Sequence, residues 1–284
     1  MTDRYAVIGN PIAHSRSPAI HAAFARQTEE DIAYEAILAP LDRFADTIAR
    51  FRAEGGLGVN ITVPFKYEAW QLAEERSDYA TLARAVNTLD FRDDRVIGHN
   101  TDGVGLIADL QNHLDCPVAG LDVLLLGAGG ASFGVVPALL GCRPSSIHVA
   151  NRTADRAREL VAHFVSQAVS GAGCLTGSGF DDIPRRGYGL VINATSTGLA
   201  GEPLPVRPEA FASRSMAYEM VYGKNTPFMQ QAREAGARVA DGLGMLVEQA
   251  AAAFHIWRGV RPDTAPVIRD IRAELTREAS RGAP

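Results

Sequence analysis

Leu121-Asp-Val-Leu-Leu-Leu-Gly127-Ala-Gly-Gly-Ala-Ser132 decides how the chain is to be read. The first half of this stretch is a nearly unbroken aliphatic run, the pattern of a parallel strand covered on both faces. A glycine loop follows at once and opens a helix from about Ala131. Gly127 permits the tight turn and Gly129 lets the backbone approach a pyrophosphate. Ser132, small where glycine is commoner, lets helix and strand pack closely. The free amides at such a helix start, together with its dipole, favour an anion. Gly127, Ala128, Gly129 and Gly130 are therefore candidate contacts to a dinucleotide.

Moving outward toward the C-terminus, Ile147-His-Val-Ala-Asn-Arg-Thr-Ala-Asp-Arg156 ends the next strand, near Ser146 to Ala150. NAD-binding folds place an acidic side chain here, on the ribose 2′-hydroxyl. This chain instead delivers Asn151, Arg152 and Thr153, with Arg156 one turn on. A carboxylate would repel a 2′-phosphate, whereas guanidinium groups hold one through charge-assisted bonds, so the cofactor expected is NADP. Asp155 sits between the arginines, and helix geometry turns it away. Further strands are expected at Gly189 to Asn193 and Ser215 to Val221, with helical stretches between them. That alternation implies right-handed crossovers and a doubly wound sheet. The Gly/Ser stretch Ser170 to Gly179 reads as a loop, and Leu243 to Val260 and Ala265 to Glu278 read as helices.

Outward toward the N-terminus, a second α/β region precedes this unit, which begins near Thr101. Tyr5 to Ile8, Ile32 to Leu38 and Leu57 to Val63 are strand candidates, and Phe44, Ile48 and Phe51 recur at helical spacing. Ser17-Pro18 reads as a helix cap followed by proline at the first helical position. Val86 to Phe91 and Arg95 to Gly98 flank Asp93-Asp94 as a hairpin. Polar clusters collect where these strands end: Ser15 and Ser17; Asn60 and Thr62, which share a strand face by alternation, with Lys66 just after Pro64; then Asn87, Asn100 and Asp102. Short hydroxyl and amide side chains at strand ends suit a small ligand covered in hydroxyls.

Composition limits the other possibilities. The 284 residues are 46% hydrophobic and 21% charged, the balance of a globular protein with room for two domains. No apolar run reaches the roughly 18 residues that span a bilayer, and the start shows no signal-peptide core, so a cytoplasmic location is expected. The formal charge of −5, with no basic block, argues against nucleic acid as a partner. Cys116, Cys142 and Cys174 are too scattered for a disulfide framework, and the seven histidines lack ligand spacing, so no metal is expected.

Taken in order, Gly9-Asn-Pro-Ile-Ala-His-Ser-Arg-Ser-Pro18, Asn60-Ile-Thr-Val-Pro-Phe-Lys66, Ala85-Val-Asn-Thr88, Asn100-Thr-Asp-Gly103, the glycine loop, Asn151-Arg-Thr153, Asn193-Ala-Thr-Ser196 and Asp241-Gly-Leu-Gly-Met245 with Gln249 make a series. The sequence resembles the shikimate dehydrogenase family along essentially its whole length. The resemblance implies an N-terminal α/β substrate domain (1–101 plus about 243–284) and a Rossmann-type doubly wound dinucleotide-binding domain (102–242), with C-terminal helices returning to the first. It implies Lys66 and Asp102 as the catalytic pair. Ser15, Ser17, Thr62, Asn87, Tyr222 and Gln249 match positions that hold the substrate's carboxylate and hydroxyls. Ala131, Thr195, Met220 and Gly244 join the cofactor set, with Asp78 where relatives often carry Glu. Phe133 stands where many members have Arg, and Glu219 where many have Asp.

The implied reaction is NADP-dependent reduction of 3-dehydroshikimate to shikimate, a step of chorismate and aromatic amino-acid biosynthesis. Lys66 takes an acid/base or electrostatic role at the carbonyl oxygen, oriented by Asp102. Two other readings stay open at this point. One is a quinate/shikimate dehydrogenase of broader specificity; the other is a ligand-sensing relative without turnover, in which loss of Lys66 or Asp102 would be expected. No surface stripe marks an interface, which leaves monomer and homodimer open.

Overall fold

The computed structural model describes residues 2–197 and 201–281. It divides into two units, one formed by residues up to Gly105 with Leu246–Asp270, the other by Leu106–Met245 with the residues from Ile271 on. The sequence division kept 243–284 whole with the first unit; contacts place the segment from Ile271 on with the second, and 282–284 lie outside the described residues. Among the described residues no helix is long and apolar enough to cross a membrane.

In the first unit the order is β1 (Asp3–Gly9), α1 (Ser17–Thr28), β2 (Ile32–Leu38), α2 (Phe44–Ala53), β3 (Gly56–Ile61), α3 (Lys66–Leu72), β4 (Glu75–Arg76), α4 (Asp78–Ala83), β5 (Thr88–Asp90) and β6 (Ile97–His99). The strands form one mixed sheet in the order β2-β1-β3-β5-β6-β4. β1 is parallel to β2 and β3, while β5 runs antiparallel to β3 and β6. The hairpin of β5 and β6 is present, shorter than its expected bounds, with a 3-10 turn at Arg92–Asp94. One apolar cluster joins Ile8, Val59, Ile61 and Leu89 of the sheet to Phe44, Ile48 and Phe51 of α2, the residues whose helical spacing marked that face.

The chain passes into the second unit along α5 (Asp102–Asn112) and continues through β7 (Asp122–Leu126), α6 (Gly130–Gly141), β8 (Ser146–Asn151), α7 (Ala154–Ser166), β9 (Leu175–Gly179), β10 (Tyr188–Asn193), β11 (Phe211–Glu219), α8 (Pro227–Glu234) and β12 (Arg238–Asp241). All six strands are parallel, in the order β12-β11-β10-β7-β8-β9. Counted from β7 this is the 3-2-1-4-5-6 order of dinucleotide-binding sheets, whose direction of winding reverses between β7 and β10. Val123, Leu124, Leu125 and Leu126 are fully buried, as a strand covered on both faces requires. The expected loop at Ser170 to Gly179 is corrected: it holds a 3-10 turn and the edge strand β9.

Two helices complete the chain, α9 (Leu243–Arg258) and α10 (Thr264–Arg281). Within the first unit α9 is anchored by Trp257, which stacks on Tyr5 and donates its indole N–H to the Leu89 carbonyl at 3.1 Å. Gly58 makes that contact possible, since a Cβ there would stand 2.5 Å from the indole nitrogen. Arg258 pairs with Asp3 and Glu30.

Candidate active site

The ends of β1, β3 and β6 and the start of β5 fall at one edge of the mixed sheet. Most of the polar residues singled out in the first unit come from these ends. Asn87, two per cent exposed, is their hub. Its amide nitrogen reaches Asp102 Oδ1 and Thr101 Oγ1, each at 2.9 Å, and Gln249 Oε1 at 3.3 Å. Its oxygen accepts the Thr101 backbone N–H at 2.9 Å and the Thr88 hydroxyl at 3.0 Å. Asp102 turns its other oxygen to Lys66, whose Nζ donates at 2.7 Å. The Lys66 side chain is 27% exposed and that of Asp102 10%, so the ammonium reaches solvent while the carboxylate is held beneath it. Asn100 caps the turn into α5, accepting the Asp102 N–H at 3.1 Å.

A second buried chain runs under this edge. Asn60 donates to the Thr88 hydroxyl at 3.0 Å and accepts the Tyr34 hydroxyl at 2.7 Å. Tyr34 also neighbours the Ser17 hydroxyl and lies flat on the His21 ring, with centroids 4.0 Å apart. Burial pushes the His21 imidazole down to about 3, only partly opposed by Asn60. His21 is therefore neutral at physiological pH and acts as packing under the site. Tyr34, Asn60, Thr88 and Asn87 are linked so that losing any member strands its partners, whereas both ring nitrogens of His21 are buried without a hydrogen-bond partner among the described residues.

The cap expected at Ser17 is corrected. Ser17 is the first residue of α1, and Arg16 precedes it without a side-chain cap. The turn is instead held by Ser15 Oγ, which accepts the Ser17 N–H at 3.3 Å. Thr62 follows β3 directly and is half-buried. Gln249 comes to this edge along α9, and donates to the Leu246 carbonyl at 2.9 Å. Tyr222 belongs to the second unit, just beyond β11. Thr88, Thr101 and Tyr34 are hydrogen-bonded members that sequence reading left out of the site. Thr101 lies within the Asn100-Thr-Asp-Gly motif and could have been found there, whereas Tyr34 looks like any core aromatic on a strand.

In the second unit the remaining candidates cluster at the C-terminal ends of the parallel strands. Gly127 has φ +104°, a conformation open to glycine, and its N–H donates to the Ala150 carbonyl at 2.7 Å. Ser132 returns its hydroxyl to the Gly127 carbonyl at 2.7 Å, so this small residue also ties the loop. Among the described residues, nothing beyond their chain neighbours and the backbone of α6 lies within 4 Å of where a Cβ on Gly129 or Gly130 would stand, and no side chain caps the start of α6. Ala131 is half-buried in its first turn. Thr195, held by Asn193 at 2.6 Å, borders the loop, and Met220 donates its N–H to the Asn193 carbonyl at 3.1 Å. Asn151 bonds the Thr153 carbonyl at 2.9 Å.

Arg152, Thr153 and Arg156 are exposed, and neither guanidinium has a hydrogen-bond or ion-pair partner among the described residues. Asp155 is drawn to Arg158 at 2.8 Å. Phe133 packs on His163 and Phe164 of α7. An uncapped helix start, an open glycine backbone and two unengaged arginines fit an anionic dinucleotide bearing a 2′-phosphate. Two further candidates are placed as follows. Gly244 is buried where a Cβ would strike the Asp109 carboxylate, and Asp78 opens α4 in the first unit.

Comparison with known proteins agrees along the chain. Residues 7–89 match the shikimate dehydrogenase substrate binding domain, 110–172 shikimate / quinate 5-dehydrogenase, and 242–272 the shikimate 5'-dehydrogenase C-terminal domain. The chain is 54% identical over 277 residues to the shikimate dehydrogenase (NADP(+)) of Dechloromonas aromatica (strain RCB), covering 97% of this chain and 99% of that one. Among solved structures it is similar to an Ael1 enzyme from Pseudomonas putida (45% identity, TM-score 0.88, 95% and 98% of the two chains). It is also similar to shikimate 5-dehydrogenase from Thermus thermophilus in complex with NADP(H) and shikimate (33% identity, TM-score 0.83, 96% and 99%). The chain belongs to the shikimate dehydrogenase family.

Proposed function

We infer that the chain catalyses the reversible, NADP-dependent reduction of 3-dehydroshikimate to shikimate, on the route to chorismate and the aromatic amino acids. Reducing a ring ketone takes a hydride at carbon and a proton at oxygen. Bound NADPH supplies the hydride. The proton falls to Lys66: its ammonium donates to the carbonyl oxygen as charge develops there, and takes the proton back in the reverse direction. Asp102 aims that ammonium, and Asn87 fixes Asp102 through its second oxygen. The partial exposure of Lys66 lets it exchange its proton with solvent between turnovers. Ser15, Ser17, Thr62, Asn87, Tyr222 and Gln249 hold the carboxylate and hydroxyls, while the glycine loop, Asn151, Arg152, Thr153, Arg156, Thr195 and Met220 hold the dinucleotide. The reading places the enzyme in the cytoplasm, with its NADP pool.

The observation that carries this reading is the Lys66–Asp102–Asn87 relay, a charged pair whose carboxylate is used on both oxygens. A protein that had kept the fold only to sense a ligand would have no need of it. Absorbance of the reduced nicotinamide, followed with shikimate or quinate and with NADP or NAD, tests the assignment. Turnover should be fastest with shikimate and NADP. Equal rates with quinate would point to broader specificity, and no turnover with any pair would overturn the assignment.

A further inference from the structure

The loop at residues 220–223 carries Tyr222, and the backbone on both sides of that residue is gripped by buried carboxylates. Glu219 accepts the Val221 N–H at 3.2 Å through Oε1. Its other oxygen takes Asn193 and Thr226, each at 2.8 Å. Asp241 accepts the Gly223 N–H at 3.0 Å. The Val221 carbonyl takes the Gly242 N–H at 3.3 Å. A loop held at both flanking amides has little freedom to move the Cα from which its central side chain projects.

The two grips differ in what holds them. Glu219 is fully buried and fixed by Asn193 on β10 and by Thr226, which caps the start of α8. Asp241 is fixed from α10, where Arg272 meets it with both terminal nitrogens, at 2.6 and 2.5 Å. Burial alone would push the Asp241 carboxyl up; Arg272 and the Gly223 N–H outweigh it and hold it below its usual range. Asp241 also accepts the Leu243 N–H at 3.3 Å, an ordinary cap at the start of α9. Capping needs only one oxygen and no arginine. The bond to Gly223, eighteen residues away in sequence, is what goes beyond a cap.

We propose that Arg272 is a positioning residue for the reaction: through Asp241 it holds the 220–223 loop so that Tyr222 meets the substrate in one orientation. This rests on the reading of Tyr222 as a substrate contact. The fork geometry matters, because a lysine offers a point charge and cannot engage both carboxylate oxygens in the same way. Arg272 is the part of the assembly that can be changed without emptying a buried site, since its side chain is 47% exposed while that of Asp241 is 6%.

A double-mutant cycle of Arg272→Gln and Tyr222→Phe, read by steady-state kinetics with shikimate and NADP, tests this. Arg272→Gln alone should raise the KM for shikimate roughly tenfold, as coupled neighbours do, and leave the KM for NADP within about twofold. In the Tyr222→Phe background the same change should add little. Equal rises in both backgrounds, or rises in both KM values alike, would assign Arg272 a merely structural role and overturn the proposal. If Tyr222→Phe by itself leaves the KM for shikimate unchanged, the substrate role of Tyr222 falls, and the proposal falls with it. Should Arg272→Gln fail to fold, Arg272→Lys takes its place in the same cycle, with a smaller expected rise and the same criteria.

Discussion

Arg152 and Lys66 show how little a single residue says until its neighbours are known. An arginine at a helix start is commonly a solvated charge, and so is a lysine just after a proline. Lys66 does open a helix, but its ammonium is bonded to Asp102. Arg152 gains meaning from what is missing beside it: the strand end carries no carboxylate, and Asp155 is occupied by Arg158. A 2′-phosphate bound there would take charge-assisted bonds from Arg152. Arg152→Ala should therefore raise the Kd for NADP by roughly 10- to 100-fold and that for NAD by little, as measured by fluorescence titration. Equal losses for the two dinucleotides would remove the 2′-phosphate role.

At the scale of elements, legibility followed burial. β7 announced itself because four consecutive buried aliphatic side chains leave no other reading. β9 did not, because its side-chain contacts to β8 are made by hydroxyls: Thr176 and Ser178 each bond a ring nitrogen of His148, at 2.8 and 2.9 Å. A Gly/Ser-rich edge strand of that kind has the composition of a loop, and only the neighbouring histidine distinguishes it. α3 and α4, seven and six residues long, are likewise too short to show periodicity. The return of α9 was expected from family resemblance, and its physical basis lay in a glycine. Trp257 needs the space at Gly58 to reach Leu89. Gly58→Ala should destabilise the fold by about 1–3 kcal/mol in urea unfolding. It should also raise the KM for shikimate, since Gln249 rides on the same helix. Unchanged stability would show that Trp257 is not wedged there.

Across the whole molecule, two α/β units each collect their polar residues at one edge of a sheet. In the first, the strand ends deliver Asn87 and Asp102 into a network closed by Lys66 and Gln249. In the second, the reversal of strand order between β7 and β10 opens the crevice in which the glycine loop and Thr195 meet. The division of labour was readable because each unit has its own chemical vocabulary, amides and hydroxyls in one, glycines and arginines in the other. The pairing of Arg272 on the last helix with Asp241 at the end of β12 was not, since no local pattern encodes it. Turnover depends on the ammonium at the edge of the first sheet, and the decisive measurement is kcat of Lys66→Ala for NADPH-dependent reduction of 3-dehydroshikimate. A fall of about 10²- to 10⁴-fold, with the KM for 3-dehydroshikimate nearly unchanged, is the result predicted; a kcat equal to that of the unmodified enzyme would contradict it.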